Sequence, residues 1–223
     1  MDVIDKLIFI LGGVPNTLTI SILSFLSGFV IGLPLAFIRA YTSKPFQIMV
    51  DGYEKVLRGV PEIVTMLLLY FGVGLNENIP AIIRQPFRNP FFTATFALGL
   101  RSGAHQSQIF RGAIRGIGEE QMVTARSLGL SRLQAIIYVL IPQTLVISSP
   151  GLGSEYALLV KDSSYAFILG VVEVMRKAKT VRKITLDPVF PYFAAAFLYI
   201  LITFPLATYL DMWGSRKKKQ LGL

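Results

Sequence analysis

GEEQMVTARSLGLSRLQAIIYVLIPQ, residues 118–143, is a polar helix–turn segment that lies between two hydrophobic stretches of the chain. Its residues 119–128 can form a short helix, with small or apolar side chains along one side at Met122, Ala125 and Leu128. Gly129 can end this helix, because glycine accepts the left-handed conformation that a C-terminal cap requires. The segment therefore predicts a short helix with a defined end, outside the hydrophobic stretches.

This short helix is suited to contact with another protein. Thr124 and Ala125 are small, so a groove on a second protein can close over the backbone at this point, as in helix-in-groove recognition. The alternative is an amphipathic loop helix that has no partner.

The composition indicates an integral membrane protein. The 223 residues are 53% hydrophobic and only 16% charged, which excludes an ordinary soluble domain. Three runs lack any charged residue, and each can cross a hydrocarbon core of ~30 Å as a helix: Val14 to Ile38 (25 residues), Leu133 to Ser154 (22) and Pro188 to Leu210 (23). Two weaker spans, residues 60–75 and about 91–114, bring the expected number of spans to five.

The charged residues and the N-terminus set further limits. The net charge is +9, but the basic residues lie between the spans and near the C-terminus, where they contact anionic lipid and fix orientation, so nucleic acid is not expected as a partner. Cysteine is absent, so there is no disulfide framework. Asp2 and Asp5 stand where a cleavable signal has basic residues, and residues 1–11 predict a short interfacial helix.

Small residues and prolines mark features within the spans. Ser24, Gly28 and Gly32 recur at intervals of four and predict a close contact with another helix. Pro34 predicts a bend near the inner end of the same span. Residues 74–90 are rich in Asn, Pro and Gly and predict a loop on the outer face.

The third span carries a polar face. Arg101, His105 and Gln108 follow an i, i+4, i+7 spacing, so they share one side of a helix that cannot face lipid. This face, with Ser102 beside it, is expected to line protein or water.

The fourth span is expected to be broken, because Pro142, Pro150, Gly151 and Gly153 interrupt it. It leads to Glu155 and Asp162, which on a continuous helix fall on one stripe roughly 10 Å apart.

Three interpretations of this carboxylate pair remain open and are not exclusive. Asp162 or Ser163 caps a helix that begins at Tyr165. Glu155 pairs with Lys161 or Arg101. At least one of the two carboxylates contacts a cationic ligand, because buried carboxylates in a membrane are costly.

The spacing in residues 118–143 resembles the EAA loop of ABC-importer membrane subunits, in which Glu-Ala-Ala, three residues, Gly and nine residues precede Ile-x-Leu-Pro. Ala125, Gly129 and the Ile141–Pro142 pair match this pattern. Val123 and Thr124 replace the Glu and the first Ala of the triplet, and Glu119 and Glu120, one helical turn away, can substitute for the missing carboxylate.

Three further stretches resemble polar-amino-acid permeases of the same family. RGVPEIVTMLLLYFGVG (58–74) is similar to an RGTP motif followed by an apolar run that ends in YFG. RSGAHQSQIFRGAI (101–114) is similar to AY-x-x-E-x-x-R-G, with His105 at the Tyr and Gln108 at the Glu. GSEYALLVKDSSYAFILGVVEV (153–174) is similar to NEFIxLLKDTSL, with Ser154 for Asn and Ser163 for Thr.

The resemblance implies an all-α integral membrane fold, the type I ABC-importer transmembrane domain, in which residues 1–223 form one domain. It implies a cytoplasmic coupling helix at 118–130 and a basic cytoplasmic tail at 214–223. The N-terminus is then outside and the C-terminus inside. Twelve Lys and Arg lie in the cytoplasmic segments against eight outside, five of which are in Arg176 to Lys183.

The resemblance also implies partners and sites. The partners are ABC ATPase subunits, a second permease subunit in a homodimer or heterodimer, an extracytoplasmic solute-binding protein and membrane lipid. ATP and Mg are expected on the ATPase, and no cofactor on this chain, which lacks a GxxxxGK[ST] loop and is not expected to be an enzyme. The expected ATPase-docking residues are Glu119, Glu120, Gln121, Thr124, Ala125, Ser127, Leu128, Gly129 and Leu130. The expected substrate-binding residues are Glu155, Asp162, Ser163, Arg101, Ser102, His105 and Gln108.

The expected function is ATP-driven import of polar amino acids across the cytoplasmic membrane. The two carboxylates favour cationic amino acids; glutamine or another polar amino acid is the alternative within the class. The rival classes are a channel or secondary transporter that works without ATP, and an intramembrane enzyme that uses Glu155, Asp162 or His105 as acid or base.

Overall fold

The computed structural model describes residues 2–221, and all the regular structure in this range is helical. Eleven α-helices follow one another along it. They are α1 (Val3–Leu11), α2 (Val14–Tyr41), α3 (Lys44–Gly59), α4 (Glu62–Leu67), α5 (Ala81–Phe87), α6 (Pro90–Ile117), α7 (Glu120–Ser127), α8 (Arg132–Ala135), α9 (Ile141–Asp162), α10 (Val174–Thr185) and α11 (Phe190–Leu221). A π-helical stretch at Leu68–Gly74 continues α4, another at Ile136–Leu140 joins α8 to α9, and a 3₁₀ stretch at Ser163–Leu169 continues α9.

Three stretches of the described chain are long and apolar enough to cross a membrane: Val3–Tyr41, Arg132–Leu169 and Phe190–Gln220. They contain the first two uncharged runs and all of the third except Pro188 and Val189. A fourth candidate consists of two helical pieces, Lys44–Gly59 and Glu62–Gly74, which meet at 99°, with Pro61 directly before the second piece. Helix α6 has 28 residues and is about 42 Å long, enough to cross, but it is too polar to meet the same test.

Helices α2 and α6 pack closely, as the small residues of α2 predict. The Ser24 hydroxyl donates a hydrogen bond to the Thr95 carbonyl oxygen over 3.0 Å. A Cβ atom built on Gly28 would lie 2.5 Å from Ser102 Oγ, closer than atoms can approach. The absence of side chains at these positions therefore brings the two helices together.

The prediction that the fourth span is broken is wrong, because α9 runs without interruption through Pro150, Gly151 and Gly153 to Asp162. Pro142 lies at the start of α9, directly after the π-helical stretch Ile136–Leu140. Proline removes one backbone N–H and its ring crowds the preceding turn, and a π-helical turn accommodates such a residue by widening the helix. The span stays helical from Arg132 to Leu169, with the change from π-helical to α-helical winding directly before Pro142.

Two smaller differences concern the ends of the spans. The expected loop at 74–90 contains helix α5, which packs against the π-helical end of α4 and the start of α6. The basic residues 216–219 continue α11 in helical conformation. Helix α10 buries Val174, Ala178 and Val181 against α1 and α11. Its Lys177 lies over the Phe9 ring of α1, whereas Arg182 and Lys183 are exposed.

Candidate functional site

The polar face of α6 begins with Arg101, which joins two other helices. Arg101 Nε lies 2.6 Å from Glu62 Oε1, at the start of α4, and Arg101 Nη1 lies 2.6 Å from Asp162 Oδ2, at the end of α9. All three side chains are largely buried. One guanidinium therefore neutralises only one of two carboxylates and fixes the ends of α4 and α9 to the middle of α6.

One turn along α6, His105 faces Glu155 of α9. His105 Nδ1 lies 3.4 Å from Glu155 Oε2. Glu155 is only 1% exposed, and neither of its carboxylate oxygens has a hydrogen-bond partner in residues 2–221. A buried carboxylate without donors is costly, so this position has unused capacity to accept hydrogen bonds from a ligand or water.

The next turn of α6 faces α3 through Glu54, which is 2% exposed. Glu54 Oε1 accepts a hydrogen bond from the Ser107 hydroxyl at 2.7 Å, and Oε2 accepts one from Gln108 Nε2 at 3.0 Å. Arg111 Nη2 lies 3.4 Å from Glu54 Oε2, and Arg58 donates to Gln108 Oε1. The Arg111 guanidinium and two hydrogen-bond donors thus offset the cost of burying the Glu54 carboxylate.

Asp51 extends the same row to the end of α2. Its carboxylate accepts two hydrogen bonds from Arg39, at 2.6 and 2.7 Å, and lies 3.7 Å from Arg111. The polar row therefore comprises the residues of α6 from Arg101 to Arg111 and the acidic residues that face them on α3, α4 and α9.

The structure brings five of the seven expected substrate-binding residues into this row: Arg101, His105, Gln108, Glu155 and Asp162. Gln108 lies in the Glu54 layer of the row. Ser102 is buried on the side of α6 that faces α2, and it accepts a hydrogen bond from Gln106. Ser163 is buried and donates to the Val160 carbonyl oxygen of its own helix.

Two of the interpretations left open for the carboxylates are wrong. Asp162 and Ser163 do not cap a separate helix at Tyr165, because the helix continues from α9 into the 3₁₀ stretch and no side chain caps it there. Glu155 pairs with neither Lys161 nor Arg101. Lys161 is exposed, and Arg101 is occupied by Asp162 and Glu62. The registry of α6 against α9 decides this pairing.

Sequence reasoning missed Glu54 and the pairing of Glu62 with Arg101. Glu54 lies in a segment that reads as a polar connection, in which charged residues are ordinary. The available signal was the helical spacing of Val50, Tyr53 and Glu54, which places a carboxylate beside the buried side of α3.

The segment expected to dock a partner is a short helix between two glycines with positive φ. Gly118 (φ 78°) precedes α7, and Gly129 (φ 86°) follows it, as predicted. Ala125 is buried and Met122 packs against the apolar cluster under α7, so these two residues hold the helix to the rest of the chain. Leu128 is instead 80% exposed, because the helix ends at Ser127.

The remaining expected docking residues lie on the surface of α7 and its two ends. Glu119, Glu120, Gln121, Thr124, Ser127 and Gly129 are exposed, and Leu130 is half-buried. With Val123 and Leu128 they form an outward surface that has both apolar and charged parts. The part of the chain that the structure describes contains no group of three or more His, Cys, Asp or Glu placed to hold a metal ion.

Apolar spans surround a buried polar row, and the short helix α7 lies on the surface, between α6 and α9 in the chain. This arrangement is typical of a membrane subunit that moves polar solutes. Residues 28–219 match the family described as "Binding-protein-dependent transport system inner membrane component". The chain belongs to this family. It is an inner-membrane permease subunit of a binding-protein-dependent transport system, and the relatives that it matches are permease proteins of amino acid transport systems.

Characterised relatives support this membership over most of the chain. The nopaline transport system permease protein NocM of Agrobacterium fabrum is 31% identical over 204 residues, which cover 91% of this chain and 85% of the relative. The arginine transport system permease protein ArtQ of Bacillus subtilis is 31% identical over 216 residues, 97% of this chain and 95% of the relative. A solved amino acid ABC transporter, crystallised with histidines, has 28% identity and a TM-score of 0.80 over 97% of this chain and 99% of its own.

Proposed function

We propose that this chain is the translocation subunit of an ATP-driven importer of cationic amino acids. The observation that carries the proposal is the excess of carboxylates around Arg101. Glu62 and Asp162 share the Arg101 guanidinium, and Glu155, which faces His105 one helical turn along α6, has no hydrogen-bond donor. Lys161, beside Asp162 in the chain, is exposed. The buried row therefore has an excess of negative charge that a cationic side chain can neutralise.

The relatives are consistent with this class of substrate. Arginine is named for the Bacillus subtilis relative and for a second relative, from Haemophilus influenzae, that is 32% identical over 84% of this chain. A probable glutamine transporter permease of Bacillus subtilis is 27% identical over 96% of this chain. Arginine, lysine or histidine is thus the first substrate class to test, and glutamine is the alternative.

The proposed machine has several subunits. Two ATPase subunits, which bind ATP and Mg, would grip α7 and the residues at its ends, and a second permease subunit would complete the pathway. An extracytoplasmic binding protein would deliver the amino acid to Glu155, Asp162, Arg101 and His105. The N-terminus would be outside and the C-terminus cytoplasmic. ATP binding would drive the change between inward-facing and outward-facing states only if the partners bind these states with different affinities.

Uptake into proteoliposomes tests the substrate class directly. The complete complex, with its ATPase and binding protein, is reconstituted with internal ATP, and uptake of radiolabelled arginine is compared with uptake of glutamine. Glu155→Gln and Asp162→Asn remove one carboxylate each at nearly constant volume. Glu77→Gln is the matched control, because Glu77 is an exposed carboxylate outside the row.

We expect both row variants to lose at least tenfold in ATP-dependent arginine uptake, and Glu77→Gln to match the wild type. Equal uptake of arginine by the row variants and wild type, with glutamine preferred, would contradict the cationic substrate. Uptake that continues without ATP would contradict the importer and favour a channel or secondary transporter.

A further inference from the structure

A basic pocket lies at one end of the helix bundle, where α2, α3 and α6 approach the turn before α7. Its volume is about 380 Å³, within the range of small-ligand pockets. The charged residues that line it are Arg39, Arg111, Arg115 and Glu119. Three positive charges thus face one negative charge across the pocket, which favours an anionic occupant.

The three arginines differ in how far they are already neutralised. Arg39 donates two hydrogen bonds to Asp51 and one to Gln47. Arg111 lies within 4 Å of Asp51 and Glu54. The Arg115 side chain is exposed, and neither an ion pair nor a hydrogen bond joins it to another residue in 2–221. Arg115 is therefore the residue with a free charge to offer.

An apolar groove adjoins the basic pocket, and Tyr41 lines both. The groove has a volume of about 480 Å³, and its apolar lining comes from Pro34, Phe37, Ile38, Leu133 and Ile136. Arg132 stands at the junction, where it donates a hydrogen bond to the Tyr41 carbonyl oxygen at 2.6 Å and lies over the Tyr41 ring. A fourth arginine thus borders the place where the two spaces meet.

The order of the two spaces along the spans identifies the chemistry of the occupant. Tyr41, which lines both spaces, ends one apolar stretch, and Arg132, which lines the groove, begins another, so the two spaces meet at the ends of these stretches. Pro34, Phe37 and Ile38 lie up to two helical turns deeper, about 5–10 Å. An anionic head at the span ends and an apolar chain along the span is the arrangement of a phospholipid in its own leaflet.

We infer that the basic pocket and the apolar groove together form a binding site for an anionic phospholipid of the phosphatidylglycerol kind. The phosphate group occupies the pocket beside Arg115, with Arg39 and Arg111 behind it, and one acyl chain follows the groove. A free phosphate ester would satisfy the arginines but would leave the groove uncovered. The site borders the Asp51 end of the polar row through Arg39 and Arg111, but it does not include Arg101, His105, Glu155 or Asp162, which are proposed to bind the amino acid.

Native mass spectrometry of the delipidated complex of this chain with its ATPase tests the site. The complex is titrated in detergent with phosphatidylglycerol or with phosphatidylcholine of the same acyl chains, and sn-glycerol 1-phosphate is added in a third arm. We expect at least tenfold tighter binding of phosphatidylglycerol than of phosphatidylcholine, and no displacement by the soluble phosphate ester at equal concentration.

Paired variants distinguish binding at this site from a general electrostatic attraction of the lipid to basic surface residues. Arg115→Gln should weaken phosphatidylglycerol binding about fivefold, since one arginine near the membrane surface contributes about 1 kcal/mol, and Lys44→Gln, an exposed base outside the pocket, should change it less than twofold. Leu133→Ser should weaken it through the groove, whereas Ile137→Ser, also exposed but outside the groove, should not.

Several outcomes would overturn the inference. Equal binding of the two lipids would show that the negative headgroup charge does not contribute to binding. Equal losses in Arg115→Gln and Lys44→Gln would show that the lipid is attracted by surface charge in general and not by this pocket. Displacement by the soluble ester would assign the pocket to a free phosphate compound. Lipid binding only when the ATPase is absent would assign the pocket to the contact with that subunit.

Discussion

Glu173 is a buried carboxylate outside the polar row, and it joins α10 to α11. It precedes α10 and accepts hydrogen bonds from the backbone N–H groups of Met175 (2.7 Å) and Arg176 (2.6 Å). It also accepts one from the Tyr199 hydroxyl at 2.7 Å. Burial raises the pKa of Glu173, and these three donors act in the opposite direction. The side chain therefore fixes the start of one helix against the middle of another.

Glu173→Ala should destabilise the protein by about 1–3 kcal/mol. The substitution leaves two backbone donors and one hydroxyl without an acceptor in a buried place, and it removes the cap of α10. Thermal unfolding of the purified protein in detergent, followed by circular dichroism, measures the effect.

Two further variants control this prediction. Glu173→Gln keeps an acceptor oxygen and should lose less than Glu173→Ala. Glu77→Ala removes an exposed carboxylate and should be neutral. If Glu173→Ala and Glu77→Ala unfold at the same temperature, Glu173 does not hold α10 to α11.

At the residue scale, the sequence predicted where the polar row lies but not which of its side chains pair with each other. The spacing of Arg101, His105 and Gln108 shows that one face of α6 must avoid lipid. It does not show that Arg101 selects Asp162 and Glu62 rather than Glu155. That choice depends on the rotation and registry of three helices, to which a one-dimensional pattern is insensitive.

At the scale of elements, the contact between α2 and α6 organises the middle of the bundle. A Cβ atom on Gly32 would lie 2.8 Å from the Ser107 nitrogen and 2.9 Å from the Gly103 carbonyl oxygen. Both are backbone atoms of α6, so they cannot move aside as a flexible side chain can. The approach of the two helices therefore requires glycine at this position.

Gly32→Ala should force α2 away from α6 and destabilise the protein by about 1–3 kcal/mol, the usual range for overpacking. Gly52→Ala is the matched control, because Gly52 lies within α3 with no atom in the way of a new Cβ, and alanine favours helix there. Circular dichroism melts of both variants measure the difference. An unfolding temperature for Gly32→Ala at or above that of Gly52→Ala would show that α2 and α6 can separate without cost.

Elements were predictable where a single strong property determines them. Absence of charge over 22 residues or more identifies the spans within α2, α9 and α11, and small residues at every fourth position identify the packing face of α2. The continuity of α9 was not predictable, because its prolines and glycines favour a break and the sequence pattern does not reveal the π-helical turn before Pro142. Helix α5 was hidden because prolines at both its ends give the segment the composition of a loop.

At the scale of the whole molecule, α7 connects the two sides of the polar row. It follows α6, which carries Arg101 and His105, and precedes the span of α9, which carries Glu155 and Asp162. A partner that pulls on α7 would therefore act on both helices at once. This connection is what would couple ATP hydrolysis on a partner subunit to access to the row.

Leu128→Asp should weaken retention of the ATPase about thirtyfold. A charge would replace an apolar side chain worth about 2 kcal/mol in the proposed contact between α7 and the ATPase. The side chain is 80% exposed, so the variant should fold and melt like the wild type. Co-purification of the ATPase with the tagged permease measures retention, and ATP-dependent amino acid uptake should fall in parallel.

The matched control is Leu186→Asp, at a leucine that is 84% exposed in the link between α10 and α11. Leu186 has φ 54°, a conformation that aspartate adopts more readily than most residues, so this variant should also fold. It adds the same charge at the same exposure but away from α7, and it should retain the ATPase. Equal retention in both variants would exclude α7 as the docking element, since the sole remaining difference between them is where the charge lies.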